Sequence, residues 1–362
     1  MAQPSGTKPV LSTAVPVFLP GKYNPTSKTV DSSTSGQSSP APPKPLLIFT
    51  PSENGTYPVI LFFHGFCLRN YFYSDLFHHI SSHGFIIVAP QLYTTIPPCG
   101  MGEVDSAAKV ADWLQSGLQS VLPENIEANL ENLALAGHSR GGKTAFALAL
   151  GYGDPAQSFS LLVGIDPVAG TRFGETTPKI LTYEPNSFNI SIPVTVIGTG
   201  LGPESKGCLK PCPCAPKDYN HEEFFNECKL PKAHFNAKDY GHMDMLDDDL
   251  PGLIGKLADS ICVNGKGPRD PMRRCVGGIV VAFLNYYYFK DKKVDFDTIV
   301  NDPSVAPVVL DQAQHGAYCI SGCPMGVDGV LGLLADGGGG LGPLGCAGHG
   351  PKGAVRDIMN KS

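Results

Sequence analysis

The sequence predicts an α/β fold: a mainly parallel central sheet with helices on both faces. From residue 46 onward, apolar runs alternate with segments of helical periodicity, the pattern of strands joined by crossover helices. Several of those runs are apolar at every position, as strands covered on both faces must be. The stretch LALAGHSRGGKTAFALAL, residues 133–150, sets a glycine-rich turn between such a run and a helical pattern.

A chain of 362 residues, 42% hydrophobic, suffices for one large domain with a sizeable core. Residues 1–45 are rich in Ser, Thr, Pro and Lys, a composition that cannot bury a core, and are expected to form a flexible leader. The absence of acidic residues before Asp31 is compatible with an organelle transit peptide, although no arginine is present either. A single domain is then expected over 46–301. LLIFTP (46–51), PVILFFHG (58–65), FIIVAP (85–90), LALAG (133–137), FSLLVGID (159–166), PVTVIGTG (193–200) and AHFNAKDYGH (233–242) read as its strands. Helical patterns fall between them at 71–83, 103–120 and 141–151, with a last helix over 272–290. Beyond residue 302 the periodicity dissolves, and the Gly-rich segment to residue 362 reads as a poorly ordered tail outside the packed domain.

The net charge of -6 offers no basic stripe, so a nucleic-acid partner is not expected. No apolar run reaches the length of a bilayer span and no signal-peptide core follows Met1, so contact with a membrane is expected only from outside. The eleven cysteines, an odd number in a long chain, argue for buried thiols in a reduced compartment rather than a disulfide framework. Cys208, Cys212 and Cys214, followed by His221 and Cys228, lack the C-x2-C spacing of structural zinc, and no metal site is expected.

Gly137-His138-Ser139-Arg140-Gly141 fits G-x-S-x-G, a nucleophile elbow, while Gly137–Thr144 also fits G-x-x-x-x-G-K-T, a phosphate loop. In the second reading Lys143 would reach phosphates, Thr144 would hold magnesium, and Asp166 would close an acidic strand end. Three features outside the motif favour the elbow. Several strands precede it, whereas a phosphate loop follows an early strand. His64-Gly65-Phe66 ends an earlier strand, where an esterase places an oxyanion donor. His242 follows the last predicted strand, giving the order Ser139, Asp166, His242 of an α/β-hydrolase.

In that chemistry His242 takes the Ser139 proton and returns it to the leaving alcohol, while Asp166 holds the imidazole tautomer. The backbone N–H groups of Phe66 and Arg140 would face the developing oxyanion. No cofactor is required. Alternatives remain at each position: Asp166 as a turn former, Glu204 as the acid, and His221, His234 or His315 as the base. His64 and His138 are expected to shape the turns beside the site. Asp244, Asp247, Asp248 and Asp249 read as a solvated, helix-starting face without calcium-loop spacing. Tyr71, Phe72 and Tyr73, with Phe66, are candidates for an apolar substrate groove, or for the core of the next helix. Asn54-Gly55-Thr56 and Asn189-Ile190-Ser191 fit the short glycosylation pattern.

GHSRGGKTAFALALG resembles the elbow of the plant chlorophyllases, and PVILFFHGF, SSHGFIIVAPQLY, GIDPVAG, KDYGHMDMLDDD and PMRRCVGGIVVAFL extend the resemblance over residues 44–290. The resemblance implies an α/β-hydrolase that cleaves the phytyl ester of chlorophyll to chlorophyllide and phytol. It carries the nucleophile to Ser139, the acid to Asp166 and the base to His242, and it leaves the magnesium with the substrate. It also implies a chloroplast location, with cytosol or another endomembrane surface as alternatives, and peripheral membrane contact. A general lipase or carboxylesterase and, more distantly, a P-loop nucleotide hydrolase or a noncatalytic binding protein are the competing readings. Pigment preference and oligomeric state are not legible.

Overall fold

Nine strands run through the middle of the molecule. The computed structural model describes residues 15–33, 40–94, 97–98, 100–206 and 213–316. The strands are β1 (Pro25–Val30), β2 (Leu46–Pro51), β3 (Gly55–Phe63), β4 (Ile86–Pro90), β5 (Ile126–His138), β6 (Leu161–Ile165), a small hairpin β7 (Gly170–Thr171) and β8 (Gly174–Glu175), β9 (Val194–Thr199), β10 (Lys232–Ala237) and β11 (Gln314–Gly316). The large sheet has the order β1-β2-β4-β3-β5-β6-β9-β10-β11, and β7-β8 stand apart. From β4 to β10 every pairing is parallel; only the edge pairs β1–β2, β2–β4 and β10–β11 are antiparallel.

Helices cover both faces. They are α1 (Ser74–Ser82), α2 (Gly102–Trp113), which continues through a wider turn into α3 (Gln119–Val121), α4 (Arg140–Ala149), α5 (His221–Glu227), α6 (Gly252–Ile261), α7 (Asp270–Tyr288) and α8 (Val294–Asn301). Alternation along each strand sends neighbours to opposite cores. Ile60 and Phe62 join α1, α7 and α8 on one side, while Val59, Leu61 and Phe63 join α2, α4 and α5 on the other. The seven expected strands and four expected helices all fall on observed elements.

Two boundaries differ from expectation. Part of the leader is packed: Val15, Val17 and Phe18 are buried in the α7 core, and β1 pairs with β2 along its whole length. The reason it escaped a hydrophobicity reading is physical. β1 is an edge strand of Pro, Thr, Ser and Lys with four consecutive exposed residues, and polar lysine-bearing edges are how sheets avoid pairing with other chains. Likewise residues beyond 302 belong to the sheet as far as β11, whose three residues carry no apolar signal. Residues 1–14 of the leader and 317–362 of the Gly-rich tail lie outside the described residues.

Candidate active site

The turn between β5 and α4 is made by close backbone approach. Ser139 sits at φ 56° and ψ -124°, a conformation that costs a non-glycine residue energy and is held by its surroundings. A Cβ on Gly137 would lie 2.2 Å from the Gly141 carbonyl oxygen, and one on Gly141 only 2.1 Å from that of Phe63. Both positions therefore admit glycine alone. The Ser139 N–H donates to the Ile165 carbonyl at 3.0 Å, which ties the elbow to β6.

Parallel strand ends bring the partners to this turn. Ser139 Oγ lies 2.8 Å from His242 Nε2, and His242 Nδ1 lies 2.7 Å from Asp166 Oδ2. An ionised carboxylate only accepts, so Nδ1 carries the imidazole proton and Nε2 is free to accept from the serine hydroxyl. Asp166 follows β6 and Thr199 ends β9, and the register Ile165↔Ile197 brings them together. Thr199 donates to Asp166 through its hydroxyl at 2.6 Å and its N–H at 3.3 Å. Burial would raise the Asp166 carboxyl, but the hydrogen bond and charge of His242, with His221 and the Thr199 hydroxyl, outweigh it and hold it below the usual carboxylate range.

Arg140 opens α4, so its N–H is one of the donors a helix N-terminus leaves without an intrahelical partner, at the positive end of the helix dipole. Phe66 follows Gly65 in the loop after β3, and its ring is 54% exposed beside the serine.

The competing assignments find other partners. Glu204 is exposed in the turn after β9. His221 and His234 are buried, stacked, and joined at 2.8 Å behind Gly198, and His315 is exposed on β11. Burial pulls His64 down to about 4 and His138 to about 3, the latter aided by the neighbouring His242 charge, so both are neutral near pH 7. Lys143, the residue a phosphate loop would aim at its ligand, is buried and donates to the carbonyls of Ala169, at 3.0 Å, and Thr176. Thr144 donates to Glu103 Oε1 at 3.0 Å. Both residues are occupied by protein groups beneath the helix, which leaves the nucleotide reading without its ligands.

Three expectations need correction. Phe72 and Tyr73 are buried, 1% and 0% exposed, because the turn Asn70–Tyr73 leads into α1 and drives both rings into the core. Tyr71 is exposed at the surface, edge-on to Phe72, and does not line the cavity. Half of the acidic run is not a solvated face. Asp244 is buried and accepts from the N–H groups of Gly241 and Gly265, Asp247 accepts from those of Ser74 and Asp75 at the start of α1, and Asp248 pairs with Arg273. Asp248, whose side chain is 63% exposed, and Asp249 match the solvated reading. Finally, Cys214 is bonded to Cys262 in a disulfide, whereas Cys228 and Cys275 are buried free thiols; Cys208 and Cys212 lie outside the described residues.

The cavity above Ser139 has a volume of about 650 Å³. Its walls are Phe66, Leu68, Val168, Met243, Ile254 and Leu257, closed at one side by the Cys214–Cys262 disulfide. A reading from residues missed α6 and Thr199. The apolar spacing of Ile254, Leu257 and Ile261 was a helical signal, but Thr199 gains its role only from the neighbouring strand.

This geometry has close kin. The family model described as Chlorophyllase matches residues 13–317. Chlorophyllase-1 of Arabidopsis thaliana is 57% identical over 281 residues, which cover 76% of this chain and 86% of that protein. A protein of Citrus unshiu named "Chlorophyllase-1, chloroplastic" is 54% identical over 85% of this chain and 91% of its own length. Chlorophyllase-2 of Arabidopsis thaliana is 51% identical over 76% and 90%. With a family match spanning the whole described sheet, and with relatives this similar over most of both lengths, the chain belongs to the chlorophyllase family.

Proposed function

We propose that the chain is a carboxylic ester hydrolase that cleaves the phytyl ester of chlorophyll through an acyl-enzyme on Ser139. The observation that carries the reading is the continuous chain Ser139–His242–Asp166, at 2.8 and 2.7 Å, opening on an apolar cavity. His242 Nε2 takes the hydroxyl proton as Ser139 Oγ attacks the propionate carbonyl, and the N–H groups of Phe66 and Arg140 receive the oxyanion. Collapse breaks the bond to the phytyl oxygen, and His242 returns the proton to it, releasing phytol. Water, deprotonated by the same imidazole, then attacks the acyl-enzyme; the acyl–Oγ bond breaks, His242 returns the proton to Ser139 Oγ, and chlorophyllide leaves. Asp166 stays ionised and stabilises the imidazolium.

The apolar walls suit a phytyl chain and the edge of a flat macrocycle. Phe66 and Leu257, the latter 55% exposed, continue that apolar character out to the rim, which supports peripheral contact with a membrane that holds the pigment. Kinship with relatives named chloroplastic supports the chloroplast as its setting.

The test is phase partition after incubation with chlorophyll in mild detergent, with wild type and Ser139→Ala side by side. Wild type should move the pigment from hexane to aqueous acetone, and the variant should leave it in hexane. Turnover of short acyl esters without pigment transfer would replace the chlorophyllase reading with a general esterase.

A further inference from the structure

Two buried imidazoles flank the site without touching the reacting atoms, and the direction of each of their hydrogen bonds is determined. The Gly65 N–H can only donate, and it donates to the Tyr73 hydroxyl at 3.0 Å. The His242 carbonyl can only accept, so the neutral His138 carries its ring proton on Nε2 and donates to that carbonyl at 2.9 Å. His138 Nδ1 then accepts the Tyr73 proton, at 2.8 Å. His64 has the opposite tautomer. The Leu92 N–H donates to its Nε2 at 3.1 Å, so Nδ1 holds the proton and donates to the Gly65 carbonyl at 2.9 Å.

The Gly65 carbonyl and the Phe66 N–H belong to one planar trans peptide and point in opposite directions, so anchoring the carbonyl aims the N–H. We infer that His64, Tyr73 and His138 are positioning residues that lock the Phe66 N–H and the His242 loop to each other through Gly65. The inference rests on the reading of Phe66 as oxyanion donor and His242 as base. Space supports it: a Cβ on Gly65 would stand 2.9 Å from Leu68 Cδ1 and 3.2 Å from both His138 Nδ1 and Ser139 Cβ, so a side chain here would push against the His138 ring and the Ser139 side chain. Chemistry supports it too. A protonated His138 would have no acceptor for Tyr73, and its charge would lie 4.7 Å, centroid to centroid, from the ring that becomes imidazolium in the reaction.

The experiment combines tautomers and turnover. Two-bond proton–nitrogen spectra of histidine-labelled wild type, assigned with His64→Gln and His138→Gln, should show His64 protonated at Nδ1 and His138 at Nε2. Tyr73→Phe should shift the His138 Nδ1 resonance and lower kcat on a soluble short acyl ester by about 10- to 100-fold, the scale of a misplaced catalytic group, with KM nearly unchanged. Phe77→Leu, which perturbs the ring stacked on Tyr73, should lower the melting midpoint without that split. The same tautomer on both rings, or wild-type kcat in Tyr73→Phe, would overturn the inference. Ser139→Ala in the same assay separates the two ideas: retained turnover there sinks the esterase reading itself. The wild-type spectrum stands even where a variant does not fold.

Discussion

The hydroxyl of Thr199 is the smallest group at the site with a large expected effect. It is buried and gives its proton to Asp166 at 2.6 Å. Thr199→Val keeps the shape and removes the donor, so the carboxylate loses a charge-assisted bond worth about 1.5–3 kcal/mol. We expect kcat to fall by about tenfold or more on that basis, with Thr199→Ser restoring most of it; steady-state kinetics on a short ester would read both, and an unchanged Val variant would remove Thr199 from the site. The legibility of residues followed the same logic. Ser139, His242 and Asp166 sit in local patterns or at strand ends whose order is readable. Thr199 is defined by a neighbour in the sheet, and Phe72 and Tyr73 by which way a turn delivers them, and neither is written in a linear pattern.

Among the elements, those with a strong period were legible and those on an edge were not. β3, β4, β6 and β9 are apolar because both faces are covered, and α4 follows from the elbow. β1 and β11 are polar because they close the sheet, and α6 turns Ile254, Leu257 and Ile261 to the cavity. That placement makes α6 part of the wall of the cavity above Ser139. Leu257→Asp would put a charge on the wall, where an apolar ligand cannot pair it. The ratio of kcat/KM for chlorophyll to that for a short ester should fall by about tenfold, the scale of one misfit in an apolar pocket. An unaltered ratio, measured in the same detergent, would detach α6 from pigment recognition.

At the scale of the whole molecule, most histidines among the described residues are buried, and this sets how the protein meets acid. Burial draws His64 and His79 down to about 4 and His138 and His234 to about 3, against about 6.5 in an unfolded chain. Each folded value is depressed, so its contribution is fully present above about pH 6.5 and is lost as pH falls toward 3–4, by up to about 1.4 kcal/mol per pH unit per group. Asp247, pushed up to about 6 by burial, works in the opposite sense between its ordinary range and that value. Glu103, Glu223 and Asp295, which burial also raises, work the same way, while His83 and His221, also lowered by burial, side with the four rings. The urea midpoint should therefore drop steadily from pH 7 to pH 5, and a flat profile there would contradict the buried neutral state of these rings. At this scale the α/β class was legible from alternation alone, whereas the inclusion of residues 15–33 and 302–316 in the same body was not, because their contribution is made by backbone pairing and a few buried anchors. Ser139, Asp166 and His242 follow the parallel strands β5, β6 and β10, while part of the cavity wall, Ile254, Leu257 and Ile261, comes from α6, a short helix that follows His242. Chemistry and selectivity are thus carried by parts that can change separately: exchanging 250–262 between related chains should transplant a substrate range while leaving the engine that serves it in place.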